Sequence, residues 1–190
     1  SIVGGTTGLV DPVVKYSSMA GSPYTVYESM LRGGELAQRA PAGPVYLSVS
    51  TETLMDEWNP PSNCRQVPAA PKTLTAPEDI DRLAGLLAKA ENPVVLAEAA
   101  GSEVETYQAL VALSELLALP VVETRGALFA NFPKDHAMYQ GNELKPLRDD
   151  ADLVVVIRTR VPWYPPSDKP AGAVVAVIDE TPHRQTMVYQ

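Results

Sequence analysis

Residues 75–190 carry short runs that are apolar at every position, set between longer stretches in which apolar residues recur at helical spacing. The short runs are Val94-Val95-Leu96-Ala97, Val121-Val122, Leu153-Val154-Val155-Val156-Ile157 and Val174-Val175-Ala176-Val177-Ile178. A strand with one wet face alternates apolar and polar residues. A run that is apolar throughout is buried on both faces, and a parallel sheet covered by helices provides that burial. Ile80, Leu83, Ala84 and Leu87 form one helical stripe, and Val104, Tyr107, Leu110, Val111, Leu113 and Leu117 form another. Thr75-Ala76-Pro77-Glu78 and Ser102-Glu103-Val104-Glu105 both read as capping boxes, a hydroxyl accepting from a first-turn N–H and a glutamate reaching back. Asn92-Pro93 closes the first helix, and Pro120 opens a strand over Val121-Val122-Glu123. Within the irregular stretch Thr124 to Asp150 a short helix is predicted near Lys145 to Arg148. The expected class is α/β: a doubly wound, mostly parallel, Rossmann-like sheet.

Prolines divide the rest. Residues 51–74, with Pro60, Pro61, Pro68 and Pro71, read as an extended linker that Leu54 and Trp58 pin down. Residues 1–50 hold one helix, Ser22 to Ala40, on Val26, Met30, Leu31, Leu36 and Ala37, weakened by Gly33 and Gly34. Gly43-Pro44 breaks it, and Val45 to Val49 is a strand. The chain thus divides into 1–50, 51–74 and 75–190. The first segment is too short to be a domain, and exchange between chains is one way for it to find partners. The opening Ser1-Ile2-Val3-Gly4-Gly5, without Met or a basic segment, suggests an excised or processed piece.

Net charge is −8, and no basic patch stands out, which argues against a nucleic-acid partner. No apolar run approaches the length of a membrane span. Cys64 is the only cysteine, which excludes an internal disulfide and a paired-cysteine metal site and favours a cytoplasmic setting. With His136 and His183 the only histidines, a His-rich metal centre is not expected.

Ligands of doubly wound domains sit at the carboxyl ends of the strands, here Glu98 to Ser102, Thr124 to Gly126, Arg158 to Arg160 and Asp179 to Thr181. Gly101 and Ser102 open a helix and read either as a phosphate cradle or as a plain strand–helix turn. Asp179 and Glu180 read as acids for a ribose hydroxyl or as a solvated strand end. Arg125 beside Gly126, Arg158 and Arg160 read as phosphate partners or surface ion pairs. Asp135-His136 suggests acid–base work, but no nucleophile adjoins it in sequence. The Trp163-Tyr164 loop reads as packing on a neighbouring domain or subunit, with ligand stacking as the alternative. Glu28 and Glu35 read as a solvated helix face.

Residues 75–190 resemble the central domain of thiamine-diphosphate enzymes of the acetolactate synthase and benzoylformate decarboxylase group. The resemblance rests on Asn92-Pro93-Val94-Val95, Leu119-Pro120-Val121-Val122, Asn131-Phe132-Pro133 leading into Asp135-His136, Tyr139, Gly141, Ala151-Asp152-Leu153-Val154 and Ile178-Asp179. Residues 11–50 resemble the end of the preceding pyrimidine-binding domain through Lys15-Tyr16, Arg32, Ala37 and Gly43-Pro44-Val45-Tyr46-Leu47. Two departures stand out: Ser50 is usually proline, and Asn142-Glu143-Leu144-Lys145 replaces the Gly-Met-His-Gly type sequence of flavin-binding members. The resemblance implies a parent enzyme that uses thiamine diphosphate and Mg²⁺ on an α-keto acid. Such enzymes hold the diphosphate and the metal through a Gly-Asp-Gly motif, absent from this sequence, and use a glutamate from the start of the first domain. It implies that this fragment has no catalytic residues, holds neither group itself, supports a homo-oligomer alongside the remaining domains, and ends early at Gln190. The alternatives are an adenine-nucleotide (FAD or ADP) module and an interaction module. The zinc-binding NAD-dependent deacylases of the wider fold need a cysteine set that Cys64 alone does not supply.

Overall fold

The computed structural model describes residues 5–180. Thr181 and His183 lie outside them. The chain forms two units, Ser1–Thr73 and Leu74–Gln190.

In the first unit a helix α1 (Gly5–Val10) and a 3₁₀ turn precede strand β1 (Tyr16–Ala20), helix α2 (Pro23–Gln38), strand β2 (Val45–Val49) and helix α3 (Thr51–Met55). The strands pair in parallel, from Tyr16 opposite Val45 to Ala20 opposite Val49. Ser22 caps α2: its side chain accepts from the Thr25 N–H, while the Thr25 hydroxyl accepts from the Ser22 N–H. The helix and β2 lie where the sequence places them. β1 is unanticipated, because Tyr16-Ser17-Ser18-Met19-Ala20 has a polar centre and becomes a strand through its pairing.

The proline-rich segment docks on α2. The Trp58 ring stacks obliquely on Tyr27 at 5.6 Å. The Arg65 N–H donates to the Tyr27 hydroxyl at 2.8 Å, and its guanidinium pairs with Glu28. Gly34 admits Val67, whose Cγ2 would lie 3.0 Å from a Cβ there. Of the two acids read as a solvated face, Glu28 therefore faces this segment, and Glu35 pairs with Arg39 one turn on.

The second unit comprises helix α4 (Pro77–Leu87), strand β3 (Pro93–Ala97), helix α5 (Val104–Leu117), strand β4 (Val121–Glu123), helix α6 (Lys145–Arg148), strand β5 (Leu153–Ile157) and strand β6 (Val174–Ile178). The strands form one parallel sheet in the order β4-β3-β5-β6. Alternate residues serve opposite faces. Val95, Ala97, Val121, Val155 and Ile157 pack with Leu110 and Phe132 under Leu83, Leu86 and Leu87 of α4 and Val111 and Leu113 of α5. Val94, Leu96, Val122, Val154 and Val156 pack on the other face with Trp163, Leu144 and Leu147. Val94 to Ala97, Val121 and Val122, and Leu153 to Ile157 are buried on both sides because both faces are covered there, as a doubly wound sheet requires. The run Val174 to Ile178, expected to be buried throughout, is not: among the described residues β6 ends the sheet, Val174 and Ile178 are exposed and the three residues between them are half-buried.

Neither capping box of this unit forms. The N-cap of α4 is Ala76, with Pro77 as the first helical residue, and no side chain caps it. Proline suits that position because its φ is fixed and its missing N–H has no intrahelical partner there. A 3₁₀ turn at Ala100–Ser102 delays α5 to Val104, and Glu103 becomes the N-cap without its side chain capping a backbone N–H of the helix. The stripes turn accordingly: Ile80 and Val104 face outward, and Leu86 packs inward. Among the described residues no helix is long and apolar enough to cross a membrane.

Candidate functional site

The strand order puts a reversal in the second unit. From β3 the chain passes to β4 on one side, then returns to β5 on the other. The crevice at the carboxyl ends of β3 and β5 is therefore the switch point, where open α/β sheets bind ligands.

Two arginines from the β5 exit bridge this crevice. Arg160 serves Glu98, the residue after β3, whose side chain is only 5% exposed. The Arg160 Nε donates to Oε1 at 2.6 Å, and the Arg160 N–H donates to Oε2 at 3.1 Å. The Thr124 hydroxyl adds a bond at 3.3 Å. A carboxylate that far from water needs such partners, since an unpaired buried charge is strongly destabilising. Beside this pair opens a cleft of about 670 Å³ lined by Glu98, Thr124, Arg125, Glu143, Arg160 and Trp163, among others. Arg125 is occupied at its rim by Glu143, through Nε at 2.8 Å, and Gly126 lies against the Glu98 carboxylate.

Arg158 bridges the other side. Its φ is +46°, a left-handed backbone that costs a non-glycine residue about 1–2 kcal/mol. Its Nη1 donates to the Ser102 hydroxyl at 2.8 Å and to Glu103 Oε1 at 3.3 Å. Its Nη2 donates to Glu180 Oε1 at 2.6 Å. Three consecutive strand exits, those of β3, β5 and β6, thus meet on one guanidinium whose side chain is 23% exposed.

The turn after β3 is held from elsewhere. Asn131, fully buried, accepts the Gly101 N–H on Oδ1 at 3.0 Å and donates to the Phe129 carbonyl at 2.9 Å. The buried Glu123 at the end of β4 accepts the N–H groups of Asn131 at 2.8 Å and Phe132 at 3.3 Å. This brings the Ala130 carbonyl so close to Gly101 that only glycine fits.

The sequence candidates consequently fall into two groups. Ser102 and Glu180 meet at Arg158, with Gly101 and Asp179 adjoining them in sequence. Arg125 and Gly126 belong to the cleft beside Glu98. The sequence reading placed Glu98 and Glu123 at strand ends and Asn131 in the family resemblance, but singled out none of the three as a site residue. An acidic residue closing an otherwise apolar strand was the available signal, since such an acid ends a buried element and must find partners. Asp135-His136 does not form an acid–base pair among the described residues. His136 Nδ1 accepts the Met138 N–H at 3.1 Å, Nε2 lies 3.6 Å from Glu115, and its ring meets the Phe132 edge. Trp163 packs into its own domain's core at 4% exposure, while its neighbour Tyr164 is 84% exposed. The indole is apolar enough to fill the sheet face below the loop, which the sequence reading gave to a neighbouring domain.

Residues 80–189 match a family model described as thiamine pyrophosphate enzyme, central domain. A probable acetolactate synthase large subunit of Methanococcus aeolicus is 26% identical over 164 residues, covering 80% of this chain and 27% of that protein. The chain thus spans about a quarter of the length of that relative. Two solved structures share the fold. Benzoylformate decarboxylase from Polynucleobacter necessarius has TM-score 0.75 and 24% identity over 93% of this chain and 35% of its own. The thiamine diphosphate-dependent 4-hydroxybenzoylformate decarboxylase of Rhodococcus jostii has TM-score 0.74 and 23% identity over 93% and 36%. Because the family match covers more than half of a chain whose parallel sheet, reversal and covered faces are those just described, this chain belongs to the thiamine pyrophosphate enzyme central-domain family.

Proposed function

We propose that the chain is the central domain, with the end of the pyrimidine-binding domain, of a thiamine-diphosphate- and Mg²⁺-dependent enzyme acting on an α-keto acid. The parent reaction is of acetolactate synthase or decarboxylase type, and this piece supports domain and oligomer contacts without catalysing alone. The observation that carries this reading is the mutual satisfaction of the charged groups and of the Gly101 turn around the switch point. Glu98 is held by Arg160 and Thr124, the Gly101 N–H by Asn131, and Ser102 and Glu180 by Arg158. Groups fixed on one another hold strand exits in place, and a reacting group needs a free acceptor or donor facing its substrate. Among the described residues no three His, Cys, Asp or Glu side chains gather as metal ligands do. Thiamine diphosphate, when bound in a parent enzyme, supplies the carbanion chemistry. The test mixes the 190-residue chain with thiamine diphosphate, Mg²⁺ and either pyruvate or benzoylformate and measures carbon dioxide release. No release above the protein-free control is expected, and turnover by the chain alone overturns the reading.

A second reading, an adenine-nucleotide module for FAD or ADP, is favoured by one observation. Ser102 and Glu180 lie together at a switch point, beside an arginine suited to phosphate. A thermal-shift screen with FAD and ADP separates it from the first, since the scaffold alone shows no shift with either.

A further inference from the structure

We infer that the first unit carries a site for a small molecule with a quaternary ammonium group, in the groove where α2 meets α3 and the start of the proline-rich segment. The groove encloses about 360 Å³, and Tyr27, Met30, Leu54, Asp56 and Trp58 stand on its wall. That volume is at the small end of ligand sites. Aromatic rings are the first observation. Tyr27 and Trp58 lie 5.6 Å apart with their planes inclined at 45°, so they do not cover one another as flat stacked rings do. The face of an aromatic ring is negative and attracts a cation within about 6 Å. Arg65, which is not on the groove wall, already lies over the Tyr27 ring at 5.8 Å. It also holds that ring in place, since the Arg65 N–H donates to the Tyr27 hydroxyl at 2.8 Å and the guanidinium pairs with Glu28.

Charge is the second observation. Asp56 is the one charged residue on the wall. Glu52 and Glu57 lie near it in sequence, and Thr51 to Trp58 contains no Lys or Arg, so the local field favours a cation. The third observation selects the kind of cation. A primary ammonium brings three N–H donors that need acceptors. The wall offers it one carboxylate, because the Thr53 hydroxyl already accepts from Ser50 at 3.2 Å and the Tyr27 hydroxyl from Arg65. A quaternary ammonium has no donor to satisfy. Its methyl groups suit Val26, Met30 and Leu54, and its charge suits the ring faces and Asp56. The site rests on residues of the first unit alone and stands whether or not the second unit binds a nucleotide.

The test is titration of the 190-residue chain, its methionine methyl groups isotope-labelled, followed by nuclear magnetic resonance. The probes are choline and dimethylbutanol, its uncharged analogue with carbon in place of the charged nitrogen. The Met30 methyl signal is expected to move saturably with choline, while that of Met138 in the second unit stays still. Trp58→Leu is expected to weaken choline about tenfold, and Trp58→Phe to retain most of the affinity. Asp56→Asn, an exposed change of charge without change of shape, is expected to weaken it about threefold and serves should Trp58→Leu misfold. Circular dichroism establishes that each variant is folded. Absence of a saturable Met30 shift overturns the proposal. Equal binding of choline and dimethylbutanol also overturns it, since the groove is then apolar and no more, as does unchanged affinity in both Trp58→Leu and Asp56→Asn. Tighter binding of a trimethyllysine peptide than of choline overturns the assignment to a small molecule.

Discussion

A methyl group at Gly101 would lie 1.9 Å from the Ala130 carbonyl oxygen and 2.7 Å from its carbon, both backbone atoms. Neither can rotate away, so Gly101→Ala must push apart the β3 exit and the loop that Asn131 and Glu123 fix to it. The expected cost is about 1–3 kcal/mol. Urea unfolding measures it, and an unchanged midpoint would show that the loop yields freely. In the sequence, Ala99-Ala100-Gly101-Ser102 was readable as a turn, because glycine before a helical stretch is a local signal. Its partner was not: Ala130 lies in a stretch without periodicity. Glu98 is similar. Its place at the end of an apolar strand was legible, while Arg160 is distant in sequence, and many arginines compete for the role.

Between elements, Asp152 ties the starts of the two central strands. Its carboxylate accepts the Glu91 N–H at 2.7 Å and the Asn92 N–H at 3.0 Å, just before β3, while its own chain enters β5. The Glu91 N–H, with that of Asn92, holds this carboxyl below its ordinary pKa, against the opposing effect of desolvation. A pKa lower in the folded than in the unfolded chain adds stability above the unfolded value, and that stability is lost as pH falls through the folded value. Asp152→Asn is therefore expected to unfold at lower urea than wild type at pH 7. The difference should start to narrow as pH falls past about 4, where the carboxyl of the unfolded chain protonates, and close further as the folded carboxyl protonates at lower pH. A gap of equal size at pH 7 and pH 3 would assign the effect to shape rather than charge. The helices and apolar strands were legible at this scale because periodicity records burial. The capping boxes misled because Pro77 and the 3₁₀ turn at Ala100–Ser102 set where the helices start.

At the scale of the molecule, the apolar core is unevenly shared. Both core clusters lie in the second unit, whereas Ala20 is the only buried hydrophobic residue described in the first. Two paired strands and one long helix do not bury enough apolar surface to hold themselves together. Residues 74–190 expressed alone are therefore expected to unfold cooperatively in urea, with near-ultraviolet dichroism retained. Residues 1–73 alone are expected to give a broad transition. A sharp transition for 1–73, or none for 74–190, would reverse that assignment. The sequence by itself determined that a parallel sheet lies between covered faces, because the apolar runs of β3, β4 and β5 had to be buried on both sides. It could not determine which strand lies beside which, since all four runs are nearly interchangeable in composition. Only the tertiary structure, by setting β5 and not β4 on the far side of β3, placed the reversal, and with it the crevice that Arg158 and Arg160 span.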